Sequence, residues 1–94
     1  MHPSTKRGEE WIRFSDKVLR HVEYYTVPQY GDVGDDVVTD LSADDCIPHI
    51  QKYARRQGKN VRGREQDRLD MFKLAHWACM RLAKMEEEDG GAVK

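Results

Sequence analysis

Two segments decide the fold of this chain: residues 50–56, Ile-Gln-Lys-Tyr-Ala-Arg-Arg, and residues 70–77, Asp-Met-Phe-Lys-Leu-Ala-His-Trp. In both segments apolar side chains recur at steps of three and four residues, which is the spacing of a helix that is packed on one side. Charged side chains follow the same spacing beside the apolar ones. The pattern therefore predicts two partner helices, one over residues 46–57 and one from residue 64 to about residue 87.

The boundaries of these two helices carry recognisable signals. Ser42 and Asp45 have the spacing of a capping box, in which each residue caps the backbone of the other. Gly58 is the expected stop of the first partner helix, and Gly63 closes the connection to the second. Pro48 conflicts with a regular helix because it lacks an N–H group. We therefore expect a kink at Pro48, or a regular helix that begins only near residue 47.

A third helix is predicted nearer the start of the chain, over about residues 9–24. Trp11, Phe14 and Val18 are spaced at three and four residues and would form its apolar face. Pro28 then disfavours helix in the residue before it. The sequence predicts a long, ordered loop over residues 26–41.

These elements predict an all-α fold, a compact three-helix domain with a long ordered loop between helices one and two. The length of 94 residues predicts a single domain over residues 1–94. Within it we expect an ordered core over about residues 9–87, a polar N-terminal arm over 1–7 and a flexible C-terminal tail over 88–94. The predicted core residues are Trp11, Phe14, Val18, Ile50, Tyr53, Leu69, Phe72, Leu74, Ala75, Ala78, Cys79 and Leu82.

Charge is balanced overall but not along the chain. The formal net charge is −1, which argues against a generally basic nucleic-acid coat protein. Between residues 24 and 45 the charged side chains are all acidic, whereas between residues 46 and 68 they are mostly basic. We therefore ask what could bind the basic part of the chain, rather than what could bind the chain as a whole.

Cysteine usage bears on the compartment. Cys46 and Cys79 both occupy apolar helical positions, and the first residues lack the apolar segment of a signal peptide. We therefore expect two buried, reduced thiols in a cytoplasmic protein. No apolar run approaches the roughly 20 residues that span a membrane, so no membrane partner is predicted.

The candidate site combines charged and aromatic residues of the two partner helices. Lys52 and Arg56 are one turn apart, and Asp70, Lys73 and Trp77 share a face of the last helix. One interpretation is a cationic pocket for a phosphate or nucleotide, in which Asp70 orients the arginine and an aromatic ring stacks on a base. The other is a salt-bridged seam that fixes helix pairing. The candidate ligand-binding residues are Lys52, Tyr53, Arg56, Asp70, Lys73 and Trp77.

Metal binding and catalysis have weaker signals. No two histidines are four residues apart, no Cys-x-x-Cys occurs, and the aspartates at 32, 35 and 36 do not have the spacing of an EF-hand. A solvated acidic turn is the favoured interpretation of those aspartates. Nucleotide-binding and nucleophile motifs are also missing from the sequence. We assign no catalytic residue, metal or cofactor.

The same two helices resemble a known family. The residues Lys52-Tyr53-x-x-Arg56, a basic loop with glycine, and Asp70-x-x-Lys73 followed by Ala75, His76 and Trp77 resemble the SaV-like proteins of bacteriophages and prophages. Those proteins carry a Lys-Tyr-x-x-Arg helix and then an Asp-Leu-x-Lys-Ala helix that continues to Trp-Tyr, and some are labelled phage nucleotide kinases. Residues 25–32 also resemble a segment of small uncharacterised bacterial or prophage proteins. The resemblance covers residues 21–82 and implies a phage or prophage accessory protein with a nucleotide-related function.

Three functions follow as alternatives. The first is a phage-type accessory protein that binds a nucleotide or another phosphate ligand between the partner helices. The second is a non-enzymatic interaction module that forms a homodimer through an apolar strip of the last helix. The third and weakest is nucleic-acid binding through the basic residues 55–68.

Overall fold

The computed structural model describes residues 4–31 and 41–90. The chain divides into two units, Met1–Asp32 and Val33–Lys94. Every regular element in the described ranges is helical, so the all-α prediction is confirmed. The single domain, with its arm and tail, stays a prediction, and the acidic turn at Asp32, Asp35 and Asp36 lies outside the described residues.

The first unit begins with helix α1, Lys6–His21. Thr5 caps it, because its side-chain oxygen accepts a hydrogen bond from the Gly8 N–H at 3.0 Å. This cap places the start three residues before the predicted start at Glu9. Along the helix, the rings of Trp11 and Phe14 lie 5.7 Å apart between centroids.

The helical path continues past the predicted end of the first helix. A π-helical turn, Val22–Thr26, leads into the short helix α2, Val27–Tyr30. The predicted loop from residue 26 is therefore wrong for residues 26–30. The wide turn explains why: the Val27 N–H bonds to the Val22 carbonyl, five residues back, and Pro28 then falls in the first turn of α2, where no N–H is required.

The second unit contains the two partner helices, α3, Cys46–Arg55, and α4, Arg64–Glu88. The predicted capping box is present, since the Ser42 N–H donates to Asp45 Oδ2 at 2.9 Å and the Asp45 N–H donates to Ser42 Oγ at 3.2 Å. Pro48 is the third residue of α3, so it needs no helical N–H partner. Its position in the first turn resolves the conflict seen in the sequence.

A turn over residues 56–63 joins α3 to α4. Gly58 and Gly63 have φ angles of +79° and +73°, the left-handed region that favours glycine. The Lys59 N–H bonds to the Arg56 carbonyl, and the Gly63 N–H bonds to the Asn60 carbonyl, both at 2.9 Å. The turn reverses the chain, and α3 and α4 pack as an antiparallel hairpin.

The end of α4 holds the segment that leads into α3. The Ala43 N–H donates to a Glu88 carboxylate oxygen, and Arg81 Nη1 donates to the Ala43 carbonyl, both at 2.7 Å. An acidic residue is unfavourable at the C-terminus of its own helix. Here the Glu88 carboxylate instead accepts a hydrogen bond just before the N-terminus of α3, which helps to explain why α4 reaches Glu88.

The apolar interior is smaller than predicted. Among the described residues, the fully buried apolar ones are Ala43 and Cys46. Trp11 is 61% exposed, Leu82 is 58% exposed, and Ala78 and Cys79 are also exposed, so their assignment to the core is wrong. Because α3 covers one side of α4, the apolar stripe on the other side of α4 stays accessible. The remaining predicted core residues are half-buried.

Candidate functional site

The centre of the hairpin is an ion pair between its two helices. Arg56 Nε donates to Asp70 Oδ2 at 3.1 Å, and Arg56 Nη2 donates to Asp70 Oδ1 at 2.6 Å. Two parallel bonds of this kind fix the orientation of both groups. Asp70 is fully buried, whereas the Arg56 side chain keeps 41% of its surface exposed.

Two amides complete the environment of Asp70. Asn60 Nδ2 donates to Asp70 Oδ2, and Gln66 Nε2 donates to Asp70 Oδ1, both at 3.0 Å. Burial by itself would raise the pKa of Asp70, but hydrogen bonds from Arg56, Gln66 and Asn60 outweigh it and lower that pKa. Its carboxylate is therefore held in the charged form. The same contact raises the pKa of Arg56.

A second buried aspartate, Asp67, anchors the turn. Its carboxylate accepts hydrogen bonds from the Gly58 N–H at 3.2 Å and from Asn60 Nδ2 at 2.7 Å. Gln57 Nε2 donates to the Asp67 carbonyl at 2.9 Å. Because Asp67 lies one turn before Asp70 on α4, the two carboxylates together hold the whole turn against the first turns of that helix.

Next to the ion pair, three cations surround one aromatic ring. Lys52 Nζ lies 4.7 Å from the centroid of the Tyr53 ring, the Arg56 guanidinium carbon lies 5.2 Å from it, and Lys73 Nζ lies 5.7 Å from it. All three distances are within the range of a cation–π contact. We call Lys52, Tyr53, Arg56 and Lys73 the Tyr53 cluster.

Farther along the hairpin, two rings stack between the helices. The imidazole of His49 and the indole of Trp77 lie 3.9 Å apart between centroids, with 4° between their planes. One face of Trp77 is therefore covered by His49. The pairs Arg56–Asp70, Tyr53–Lys73 and His49–Trp77 follow one another along the antiparallel helices, and we call these three pairs the seam.

The structure brings together the six residues that the sequence singled out. Five of them form the ion pair and the Tyr53 cluster, and the sixth, Trp77, lies at the far end of the seam. These positions indicate different roles: Asp70 and Arg56 join the helices, whereas Lys52, which is exposed, and Lys73, which is half-buried, lie beside Tyr53. Sequence reasoning missed the other participants, which are His49, Asn60, Gln66 and Asp67. A signal was present for Asp67, which is three residues before Asp70 and so shares its face.

The two cysteines differ in environment. Cys46 is buried, and its Sγ donates to the Ser42 carbonyl at 3.7 Å. Burial raises the pKa of the Cys46 thiol. Cys79 is exposed on α4, which corrects the prediction of a second buried thiol. Both cysteines are free.

The described residues define a class: a small all-α protein whose second unit is a helical hairpin with a polar and aromatic seam. Within residues 4–31 and 41–90, no helix has both the length and the hydropathy needed to cross a bilayer. Comparison with known proteins found no matching family model, no matching curated protein and no matching solved structure. The function is therefore argued from the geometry of the hairpin.

Proposed function

We propose that the α3–α4 hairpin binds a phosphate-bearing ligand, such as a nucleotide, at the Tyr53 cluster. The observation that carries the proposal is the set of three cations around the Tyr53 ring. Two of these cations, Lys52 and Lys73, have no carboxylate partner among the described residues.

Repulsion between the two lysines supports an anionic ligand. Both ammonium nitrogens lie within 6 Å of the same ring centroid, and they project from different helices. Like charges held near one ring disfavour each other, and an anion that contacts both ammonium groups replaces that repulsion with two attractive contacts. The Tyr53 ring supplies an apolar surface beside the charges.

The ion pair contributes by positioning Arg56. Asp70 accepts from Nε and from Nη2 of the guanidinium, which leaves both N–H groups of Nη1 and the second N–H of Nη2 available to an oxyanion. We assign ligand contact to Lys52, Arg56, Lys73 and the Tyr53 ring, and a positioning role to Asp70. Trp77 is four residues after Lys73 on α4, and because His49 covers one face of its ring, a base would have to stack on the opposite face.

The resemblance to the SaV-like proteins of phages and prophages supports the same assignment. Its motif residues Lys52, Tyr53, Arg56, Asp70 and Lys73 are the ones that the hairpin assembles into the ion pair and the Tyr53 cluster. We accordingly propose a phage or prophage accessory protein. A cytoplasmic location agrees with its two free cysteines. We propose ligand binding rather than phosphoryl transfer because the sequence has no phosphoryl-transfer loop.

Titration calorimetry of the full chain with ATP, AMP and inorganic phosphate tests the proposal. We expect ATP to bind more tightly than AMP, since it brings more negative charge to the cluster. The double variant Lys52→Gln/Lys73→Gln should weaken ATP binding about tenfold, equivalent to about 1.4 kcal/mol. Circular dichroism of the variant checks that the helices are retained.

The matched control removes the same charge from α1. Lys6 and Lys17 are both exposed and do not belong to the Tyr53 cluster, so Lys6→Gln/Lys17→Gln should leave ATP binding within about twofold of the original. Equal losses in the two double variants, or no binding of any of the three phosphates, would show that the Tyr53 cluster is not a phosphate site.

A second candidate function is a homodimeric interaction module. Ala78, Cys79, Leu82 and Met85 form an exposed apolar stripe on α4, and contiguous apolar surface of this kind is typical of interaction sites. Light scattering over a range of concentrations tests it, with Leu82→Lys as the disrupting variant. A monomer at every concentration would exclude the homodimer.

A further inference from the structure

We propose that the phosphates bound at the Tyr53 cluster belong to a nucleic-acid backbone, which continues from the cluster along the turn between α3 and α4. This inference rests on the proposed function and names its ligand class. The additional contacts come from the basic turn, which we define as Arg55, Lys59, Arg62 and Arg64.

The charge of this part of the chain supports a polyanionic ligand. Residues 52–64 include six lysines and arginines and no acidic residue. Of the next three acidic residues, Asp67 and Asp70 are buried, and Glu65 pairs with Arg68 at 3.0 Å. Burying or pairing the nearby carboxylates leaves the outward surface of the turn positive.

The cations of the basic turn are available for a ligand. All four are exposed, and none of them forms an ion pair with a described carboxylate. Lys52 and Arg55 are three residues apart on α3, so they lie on neighbouring parts of one helix face. Lys59, Arg62 and Arg64 follow where the chain leaves α3 and enters α4. The positive surface is thus continuous in sequence from the Tyr53 cluster to the start of α4.

The backbone of the basic turn is held in place before any ligand arrives. Asp67 accepts hydrogen bonds from the Gly58 N–H and from the Asn60 side chain, and its carbonyl accepts one from Gln57. These contacts fix the chain between Arg55 and Arg64. A ligand therefore has to order only the side chains of the turn, and not its backbone, which lowers the entropic cost of binding.

The extent of the surface distinguishes a nucleic acid from a small phosphate. A single nucleotide seated on Tyr53 satisfies Lys52, Arg56 and Lys73, whereas the basic turn adds four more cations farther along the chain. Nucleic-acid backbones present phosphates at regular intervals and are bound by such groups largely without regard to sequence. We infer backbone contact and no reading of base edges.

Fluorescence anisotropy of the full chain with labelled oligothymidylate of about 20 nucleotides and with a duplex of equal length tests the inference. If about four phosphates are contacted, the single strand should show a slope near −3 in log affinity against log salt concentration. The triple variant Arg55→Gln/Lys59→Gln/Arg62→Gln should flatten this slope by about 2 and weaken oligonucleotide binding about tenfold or more, while its ATP binding stays within about twofold.

A control variant separates local contacts from net charge. Lys6→Gln/Arg7→Gln/Lys17→Gln removes three exposed charges from α1 and should leave both the affinity and the slope nearly unchanged. The single strand and the duplex are separate arms, and the tighter one identifies the form of nucleic acid. Polyglutamate is the third probe and should bind weakly, since its carboxylates are not spaced like phosphates.

The outcomes separate this inference from the proposed function. Oligonucleotide binding that is no tighter than ATP binding, or equal losses in the two triple variants, overturns the nucleic-acid ligand and leaves the phosphate site in place. Polyglutamate binding as tight as that of the oligonucleotide also overturns it. Loss of ATP and oligonucleotide binding in Lys52→Gln/Lys73→Gln supports both proposals, and retention of both ligands in that variant overturns the phosphate site itself.

Discussion

Arg56 and Asp70 are joined by two hydrogen bonds, yet the Arg56 side chain keeps 41% of its surface exposed whereas the Asp70 side chain is fully buried. Removing Asp70 and removing Arg56 should therefore have different consequences for the partner that remains. Without Asp70, the guanidinium can turn toward water. Without Arg56, a buried carboxylate keeps only the two amides Asn60 and Gln66 as donors.

This asymmetry predicts unequal costs for the two single substitutions. Arg56→Ala should lower the free energy of unfolding by about 3–5 kcal/mol, because it strands a buried charge. Asp70→Ala should cost about 2–3 kcal/mol, since the remaining cation can be hydrated. The double variant should recover part of the loss from Arg56→Ala. Denaturant unfolding measures all three.

The exposed pair Arg68–Glu65 provides the comparison for this cycle. Its members are 65% and 80% exposed, so removing either should cost less than about 1 kcal/mol. Strictly additive losses at Arg56 and Asp70, or a cost no larger than that of the exposed pair, would show that the ion pair does not hold the hairpin together.

Asp70 also predicts how stability depends on pH. Its pKa in the folded chain is lowered from the ordinary value of 3.8, so the unfolded chain takes up this proton more readily. The contribution of Asp70 to the free energy of unfolding is fully present when the pH is above the ordinary pKa. It is lost as the pH falls from there through the lowered pKa of the folded chain. Denaturant unfolding between pH 7 and about pH 3 should therefore show a decrease that Asp70→Asn makes shallower.

Asp45 supplies an independent check of the same reasoning. Hydrogen bonds from the Ser42 backbone and side chain lower the pKa of Asp45. The contribution of Asp45 to stability is therefore also present at neutral pH and lost in acid. Asp45→Asn should remove a separate part of the acid-induced decrease. A pH dependence that neither substitution changes would contradict both assignments.

The ring stack of His49 on Trp77 predicts a spectroscopic change. The chain has two tryptophans, so the background variant Trp11→Phe leaves Trp77 as the sole indole. In that background His49→Ala should shift Trp77 emission to longer wavelength, because one ring face becomes hydrated, and should cost about 0.5–1.5 kcal/mol. His21→Ala, on α1, is the control, and identical spectra for the two histidine variants would argue against the stack.

The contact of Glu88 with Ala43 predicts a role for the last turn of α4. Glu88→Ala should cost about 1–2 kcal/mol, because Ala43 is buried and its N–H loses its acceptor. Amide hydrogen exchange at Ala43 should accelerate as well. The neighbouring Glu87 is exposed and makes a longer 3.7 Å ion pair with Lys84, so Glu87→Ala should change stability by less than about 0.5 kcal/mol. Equal effects of the two substitutions would rule out the contact.

The sequence was most informative where geometry follows from spacing. Two amphipathic helices joined by a short turn with glycines bring their charged faces together, so the spacing predicted that Asp70 pairs with Lys52 or Arg56, and the structure shows Arg56. The capping box at Ser42 and the extent of α4 followed from equally local signals. These features depend on residues close together in the chain.

Other features depended on structure that spacing does not determine. The wide turn before Pro28 is one such feature. A helix with ordinary hydrogen bonding is expected to end before that proline, and spacing does not show that a wider turn occurs there. The bonds of Asn60 and Gly58 to Asp67 are another, because they require the backbone path set by Gly58 and Gly63. The exposure of Leu82 was missed because periodicity shows which residues share a face, but not whether another element covers it.

The seam has a consequence for how this protein can change through evolution. Its three pairs are set by angular position around α4, and adding or deleting one residue between Arg64 and Asp70 would rotate the rest of that helix by about 100°. All three pairs would then be lost together. By contrast, Val61 is fully exposed in the turn, and its side chain can be replaced freely. Related sequences should therefore preserve the length of residues 49–77 more strictly than the identity of its exposed residues, and alignment gaps should fall outside this stretch.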